Sequence, residues 1–157
     1  MPYRMHSEYL RQIFLDNDFA EGRFIAAGKP VALTDIRVPI FAVGTVRDHV
    51  APWRSTYKIH LLSDAEVTYL LTSGGHNAGI VSEPGHDGRS FQVRTKRPED
   101  HYLDPDTFAA QTARRGGSWW PEWAAWLNDR SGAADDWRRA SRLRPLANAP
   151  GSYVLQE

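Results

Sequence analysis

The segment Ile36–Val81, "IRVPIFAVGTVRDHVAPWRSTYKIHLLSDAEVTYLLTSGGHNAGIV", decides the fold. Its opening run, Ile36 to Thr45, is rich in β-branched and apolar residues over a span too short for a typical helix, and predicts a buried strand. Pro52 then suits the first turn of a helix, with Trp53, Tyr57 and Leu61 recurring every four residues behind it. A second strand is expected from Glu66 to Ser73, ended by glycine. Strand, helix and strand in that order make a βαβ unit, whose crossover connection renders the two strands parallel.

Reactive groups in an open α/β sheet collect outside the carboxyl ends of the strands. The loop after the first strand, "GTVRDHVAP", offers Asp48, and the loop after the second, "SGGHNAG", offers His76. Parallel neighbours bring those loops to one edge, so a carboxylate can accept a hydrogen bond from one imidazole nitrogen and hold the ring in the tautomer a general base needs. Gly74 and Gly75 would allow the sharp turn that aims the ring out of the sheet. Acid before histidine, on successive strand ends, is also the order that follows the nucleophile in α/β-hydrolases. The competing reading is a turn-forming aspartate and a solvated histidine. His49, next to Asp48, is a supporting candidate or a loop residue that steadies local backbone, and Trp53 is expected to pack the following helix on the sheet.

Working outward, Met5, Tyr9, Ile13 and Phe14 fall at helical spacing and predict an amphipathic helix from Tyr3 to about Phe19. "GRFIAAGKPVAL" reads as two short strands about a turn at Gly28-Lys29-Pro30. After the loop "EPGHDGRS", "SFQVRTK" predicts a strand, and "GSWWPEWAAWLNDRSG" a tryptophan-rich helix with Ser118 as N-cap and Gly132 as stop. Trp119, Trp123 and Trp126 share one face of it, either a core stripe or an interaction surface. The tail "LRPLANAPGSYVLQE" is expected as packed coil.

A chain of 157 residues suits one domain with a core of its own. Lys and Arg number 19, as do Asp and Glu, so the basic footprint of a nucleic-acid binder is missing. Without cysteine there is no disulfide framework and no thiolate metal site, which favours a cytoplasmic origin. No H-E-x-x-H or comparable spacing suggests another metal centre. The first twenty residues hold no apolar signal-peptide core, and no run has the length of a transmembrane segment.

The strings "MHSEYLRQIFLDNDFAEGRF", "GTVRDHVAPWRSTYKIHLL", "LLTSGGHNAGIV", "GSWWPEWAAWL" and "PLANAPGSYVLQE" together resemble the C-terminal part of the class I polyhydroxyalkanoate synthases. That resemblance implies the C-terminal portion of an α/β-hydrolase-type fold over residues 1–157: the end of a lid region and a hairpin in 1–35, a βαβ core in 36–95, and a tryptophan-rich helical segment in 96–157. It implies acyl transfer from an (R)-3-hydroxyacyl-coenzyme A thioester to a growing polyester, with release of coenzyme A and no cofactor. His76 would be the general base and Asp48 the acid of a Cys-His-Asp triad. The implied partners are the acyl thioester, the polyester, and the rest of a synthase or a second synthase subunit. The implied location is the cytoplasm, at polymer granules. The family nucleophile is a cysteine in a G-x-C-x-G elbow upstream of the acid, whereas this chain has no cysteine and no G-x-S-x-G serine. The chain alone is therefore expected to be inactive. The alternatives are a non-catalytic product that docks to a synthase or a granule, and a stand-alone hydrolase with an unusual nucleophile.

Overall fold

The computed structural model describes residues 1–133 and 146–156. Helix α1 (Tyr3–Glu8) widens into π-helical turns over Tyr9–Leu15. The wider turn breaks the four-residue stripe, and Met5, Tyr9 and Phe14 are exposed. Strands β1 (Phe24–Ala26) and β2 (Lys29–Val31) pair antiparallel. Ala27 and Gly28 between them both take positive φ, 50° and 76°, the combination of a type I′ hairpin turn.

The Ile36–Val81 segment folds as a βαβ unit. Strand β3 (Ile40–Thr45) lies parallel to β4 (Val67–Thr72), in register from Ile40↔Val67 to Thr45↔Thr72. It begins later than the apolar run because Pro39 has no N–H to donate; Ile40 opens the ladder with a bond to Glu66 O at 2.8 Å. The crossover holds two short helices, α2 (Trp53–Thr56) and α3 (Ile59–Leu62), instead of one. Thr56 Oγ1 donates to Trp53 O, and the bonds of Lys58, His60 and Leu61 N–H then tighten to i→i−3, which breaks the helix between them.

Strand β5 (Ser90–Lys96) runs antiparallel to β4, and the short β6 (Arg115–Gly116) pairs with its start, giving the sheet order β3-β4-β5-β6. Helix α4 (Pro105–Gln111), which apolar periodicity does not predict, has Asp104 as N-cap accepting from the N–H groups of Asp106 and Thr107, both at 3.0 Å, and proline at its first position. Helix α5 spans Trp120–Asn128.

Every residue of β4 is buried. Alternation sends Tyr69 and Leu71 to one face, against Trp53, Tyr57 and Phe108, and Leu70 to the other, against Phe91 and Trp119. Tyr69 places a hydroxyl in that first cluster and satisfies it by donating to Trp53 O at 3.0 Å, with Thr56 Oγ1 at 2.7 Å. Burial pushes its pKa up to about 12. The fold is thus mixed α/β with a partly parallel sheet, and the acid and histidine loops leave its two parallel strands on the same side.

The chain groups into two compact units, Met1–Trp123 and Ala124–Glu157. In the second, the Arg130 guanidinium lies 4.3 Å from the centre of the Trp126 ring. In the tail, Tyr153–Leu155 form a single 3-10 turn; positions 143–145 and 157 lie outside the described residues. No helix among the described residues is long and apolar enough to cross a membrane.

Candidate active site

The Asp48 and His76 side chains meet at 2.9 Å, Oδ2 to Nδ1, beyond the carboxyl ends of β3 and β4. The two partners differ sharply in environment. Asp48 keeps 8% of its side-chain surface exposed, His76 47%. The carboxylate is enclosed by donors: the backbone N–H groups of Ala51 at 2.8 Å and Val50 at 2.9 Å reach Oδ1, and Thr45 Oγ1 approaches Oδ2 at 3.4 Å.

The Ala51 N–H bond foremost, against the opposing effect of desolvation and followed by His76 and the Val50 N–H, lowers the Asp48 pKa to about 2. An ionised carboxylate only accepts, so His76 Nδ1 must carry the hydrogen. Nε2 is left as the acceptor on a half-exposed ring. A ring so oriented can take a proton from a nucleophile that faces Nε2, while the buried carboxylate stabilises the imidazolium.

Backbone contacts stitch the two loops together. Arg47 N–H donates to Gly74 O at 2.9 Å, directly before Asp48 and two residues before His76. Gly74 has φ +108°, and a Cβ there would stand 2.8 Å from Gly79 Cα. Gly79 is equally constrained, since a Cβ on it would meet Thr45 Cγ2 at 2.7 Å. Gly75 has an ordinary φ, so the sharp turn belongs to Gly74 alone of the pair.

The tryptophans contribute something the sequence did not signal. Trp119 Nε1 donates to Gly79 O at 3.0 Å and Trp120 Nε1 to Ile80 O at 2.9 Å, while Ser118 Oγ donates to Ser82 O. Two indoles and a hydroxyl therefore clamp the backbone just after His76. Their partners are carbonyls some 40 positions away, which side-chain motifs do not mark. Trp119 is buried at 5% exposure, whereas Trp123 is 43% exposed, so the predicted stripe is not uniform core. His49 is exposed, and no hydrogen bond or ion pair joins it to Asp48 or His76. Trp53 is buried between α2 and the sheet. A cavity of about 140 Å³ lined by Arg47, Ser73, Gly74, Phe91 and Arg114 shares Arg47 and Gly74 with these loops.

Known proteins with this sequence pattern are polymerases. The poly(3-hydroxyalkanoate) polymerase subunit PhaC of Rhizobium etli is 33% identical over 153 residues, 96% of this chain and 23% of that protein. Its counterpart in Rhizobium meliloti is 34% identical over 155 residues, 98% of this chain and 25% of that protein. The poly(3-hydroxyalkanoate) polymerase of Methylorubrum extorquens is 35% identical over 156 residues, with the same coverage. This chain is a relative of the polyhydroxyalkanoate synthases. It spans about a quarter of the length of these synthases. No family model matches it. The aligned stretch takes in nearly the whole of this chain.

Proposed function

We propose that this chain supplies the acid and the histidine of an acyl-transfer site in polyhydroxyalkanoate synthesis, as the C-terminal portion of an α/β-hydrolase-type fold. One observation carries the reading: a buried, ionised Asp48 holds a half-exposed His76 at 2.9 Å on adjacent parallel strand ends. The chain has no cysteine, so the nucleophilic thiol of a complete site would come from sequence outside it. Strand β3 is the edge of the sheet among the described residues, and carries half-buried Ile40, Ala42 and Val43. Further strands of a larger sheet would pair there.

In such a site His76 Nε2 takes the thiol proton, and the thiolate attacks the thioester carbonyl of an (R)-3-hydroxyacyl-coenzyme A. The C–S bond to coenzyme A breaks, and the departing sulfur receives the proton from the imidazolium. His76 next takes the proton of a 3-hydroxyl group, whose oxygen attacks the enzyme-bound acyl carbon; the C–S bond to the enzyme breaks, its sulfur recovers the proton from the imidazolium, and the ester chain is extended by one unit. Asp48 stays ionised throughout and stabilises the charged ring. The chain by itself forms no acyl-enzyme.

The test replaces the matching quarter of the Rhizobium etli polymerase with this chain and follows coenzyme A release from 3-hydroxybutyryl-coenzyme A. Turnover is expected in the hybrid, with a loss of about 10⁶-fold on His76→Ala by analogy with histidine removal from a hydrolase triad. Turnover that survives His76→Ala in a folded hybrid would remove His76 from the chemistry. Steady coenzyme A release by the isolated chain, lost on His76→Ala, would instead establish a self-sufficient hydrolase.

A further inference from the structure

A second concave site lies at the other end of the sheet, where β4 begins and β5 ends. It encloses about 300 Å³ and is lined by Tyr57, His60, Leu103 and Phe108, by Arg94 and Lys96 of β5, and by the 100–102 turn. None of these residues belongs to the Asp48–His76 pair, so the cleft stands independently of the acyl-transfer function.

Arg94 and Lys96 stand at i and i+2 on β5, opposite Tyr69 and Val67 in the register, and so project from the same face of the sheet as Tyr69. No ion pair engages Arg94 among the described residues. Among the described residues, Lys96 Nζ donates to the Arg97 carbonyl alone, at 3.2 Å. The one carboxylate of the lining, Asp100, accepts the Arg97 N–H at 2.9 Å. The cleft therefore has a surplus positive charge and an arginine free to bind an anion.

The opposite wall is aromatic. Tyr57 lies with Tyr102 at 6.3 Å and with Phe108 at 5.2 Å between ring centres, and Leu103 adjoins them. His60 packs edge-on to Tyr57 at 4.6 Å and is only 8% exposed, yet its buried Nδ1 has no hydrogen-bond partner among the described residues. An orphaned polar atom in a native interior calls for a partner.

We propose that this cleft binds a small organic carboxylate with a short apolar tail, its head on Arg94 and Lys96 and its tail against Tyr57, Tyr102 and Leu103. His60 closes the inner wall beside Tyr57. A pure anion site would need no aromatic wall, and a pure apolar pocket would not place two cations at its rim.

Titration of the full chain with hexanoate, followed by amide and ring NMR signals of Tyr57, Tyr102 and Leu103, tests the site, with acetate and inorganic phosphate as tail-less probes. Saturable shifts are expected with hexanoate and much weaker ones with the other two. Arg94→Gln, at an exposed position, should weaken hexanoate binding at least about tenfold, and Lys96→Gln should weaken it in the same direction. Absence of saturation, acetate or phosphate binding as tightly as hexanoate, or unchanged affinity in both variants would each overturn the proposal.

Discussion

His76 and His60 occupy opposite ends of β4 and show how one sheet makes two different imidazoles. His76 follows the carboxyl end of the strand, is half exposed, and is tied to an ionised carboxylate. His60 precedes the amino end, is buried among Tyr57 and Tyr69, and has no partner for Nδ1 among the described residues. Desolvation, helped by the nearby Lys96, lowers the His60 pKa to about 4 and keeps its ring neutral. Parallel strands make the difference: both of their carboxyl-terminal loops reach one edge, so a loop histidine finds a loop carboxylate there. At the other end the chain delivers a helix and an antiparallel partner strand, whose cross-strand residues are Arg94 and Lys96 instead of an acid.

The largest test of this contrast is removal of the carboxylate. Asp48→Asn in the polymerase hybrid should lower turnover by about 10⁴-fold while leaving the melting transition cooperative, since the amide no longer dictates the tautomer. A drop under tenfold would mean that the pair is structural.

Trp119→Ala should come next, destabilising the chain by about 3–5 kcal/mol in urea melts through loss of a buried ring. It should also loosen the His76 turn, seen as faster amide exchange at Ile80 and Val81. Unchanged exchange there would dismiss the clamp as incidental packing. Gly74→Ala forces a side chain into positive φ and against Gly79, at a cost of about 1–3 kcal/mol.

Acid separates the two histidine environments. The folded pKa of His60 lies below its ordinary 6.5, so both states are neutral above that value, and the unfolded chain gains protons first as pH falls. Stability should therefore decline between pH 6.5 and about 4, by about 1–2 kcal/mol once solvent screening is allowed for. Asp48, depressed from 3.8 to about 2, contributes stability above pH 4 that is lost as pH falls through 2. His60→Gln should flatten the upper window and leave the lower one; loss of both together would sink the assignment. The smallest effect is expected of Thr45→Val, below about 1 kcal/mol, because its bond to Asp48 is long at 3.4 Å.

Local periodicity carried much of the fold. The β-branched runs of β3, β4 and β5 and the presence of a hairpin were legible because strands and tight turns are written in neighbouring residues, but the turn is Ala27-Gly28, with Lys29 and Pro30 already in β2. Helix α4 was not foreseen, because its seven residues are too few for a convincing apolar stripe and only the Asp104-Pro105 start marks it. The single crossover helix expected after Pro52 divides in two because Thr56 bonds back to Trp53 O, a competition that periodicity does not record. At the candidate site, Asp48 and His76 stood out since both follow predicted parallel strands. The tryptophan clamp did not, since indole N–H groups bonded to distant carbonyls leave no spacing rule behind.

The sequence by itself determined the α/β class, the parallel pairing that brings Asp48 and His76 to one edge, and the absence of a thiol nucleophile, because chain direction and composition suffice for all three. Only the tertiary structure decided that Asp48 is buried and fully engaged while His76 stays open, that Trp119 and Trp120 hold the loop between them, and that His60 faces a cationic, aromatic cleft. Burial and hydrogen-bond partnership belong to residues that are far apart along the chain, and they come into being only when the sheet brings those residues together.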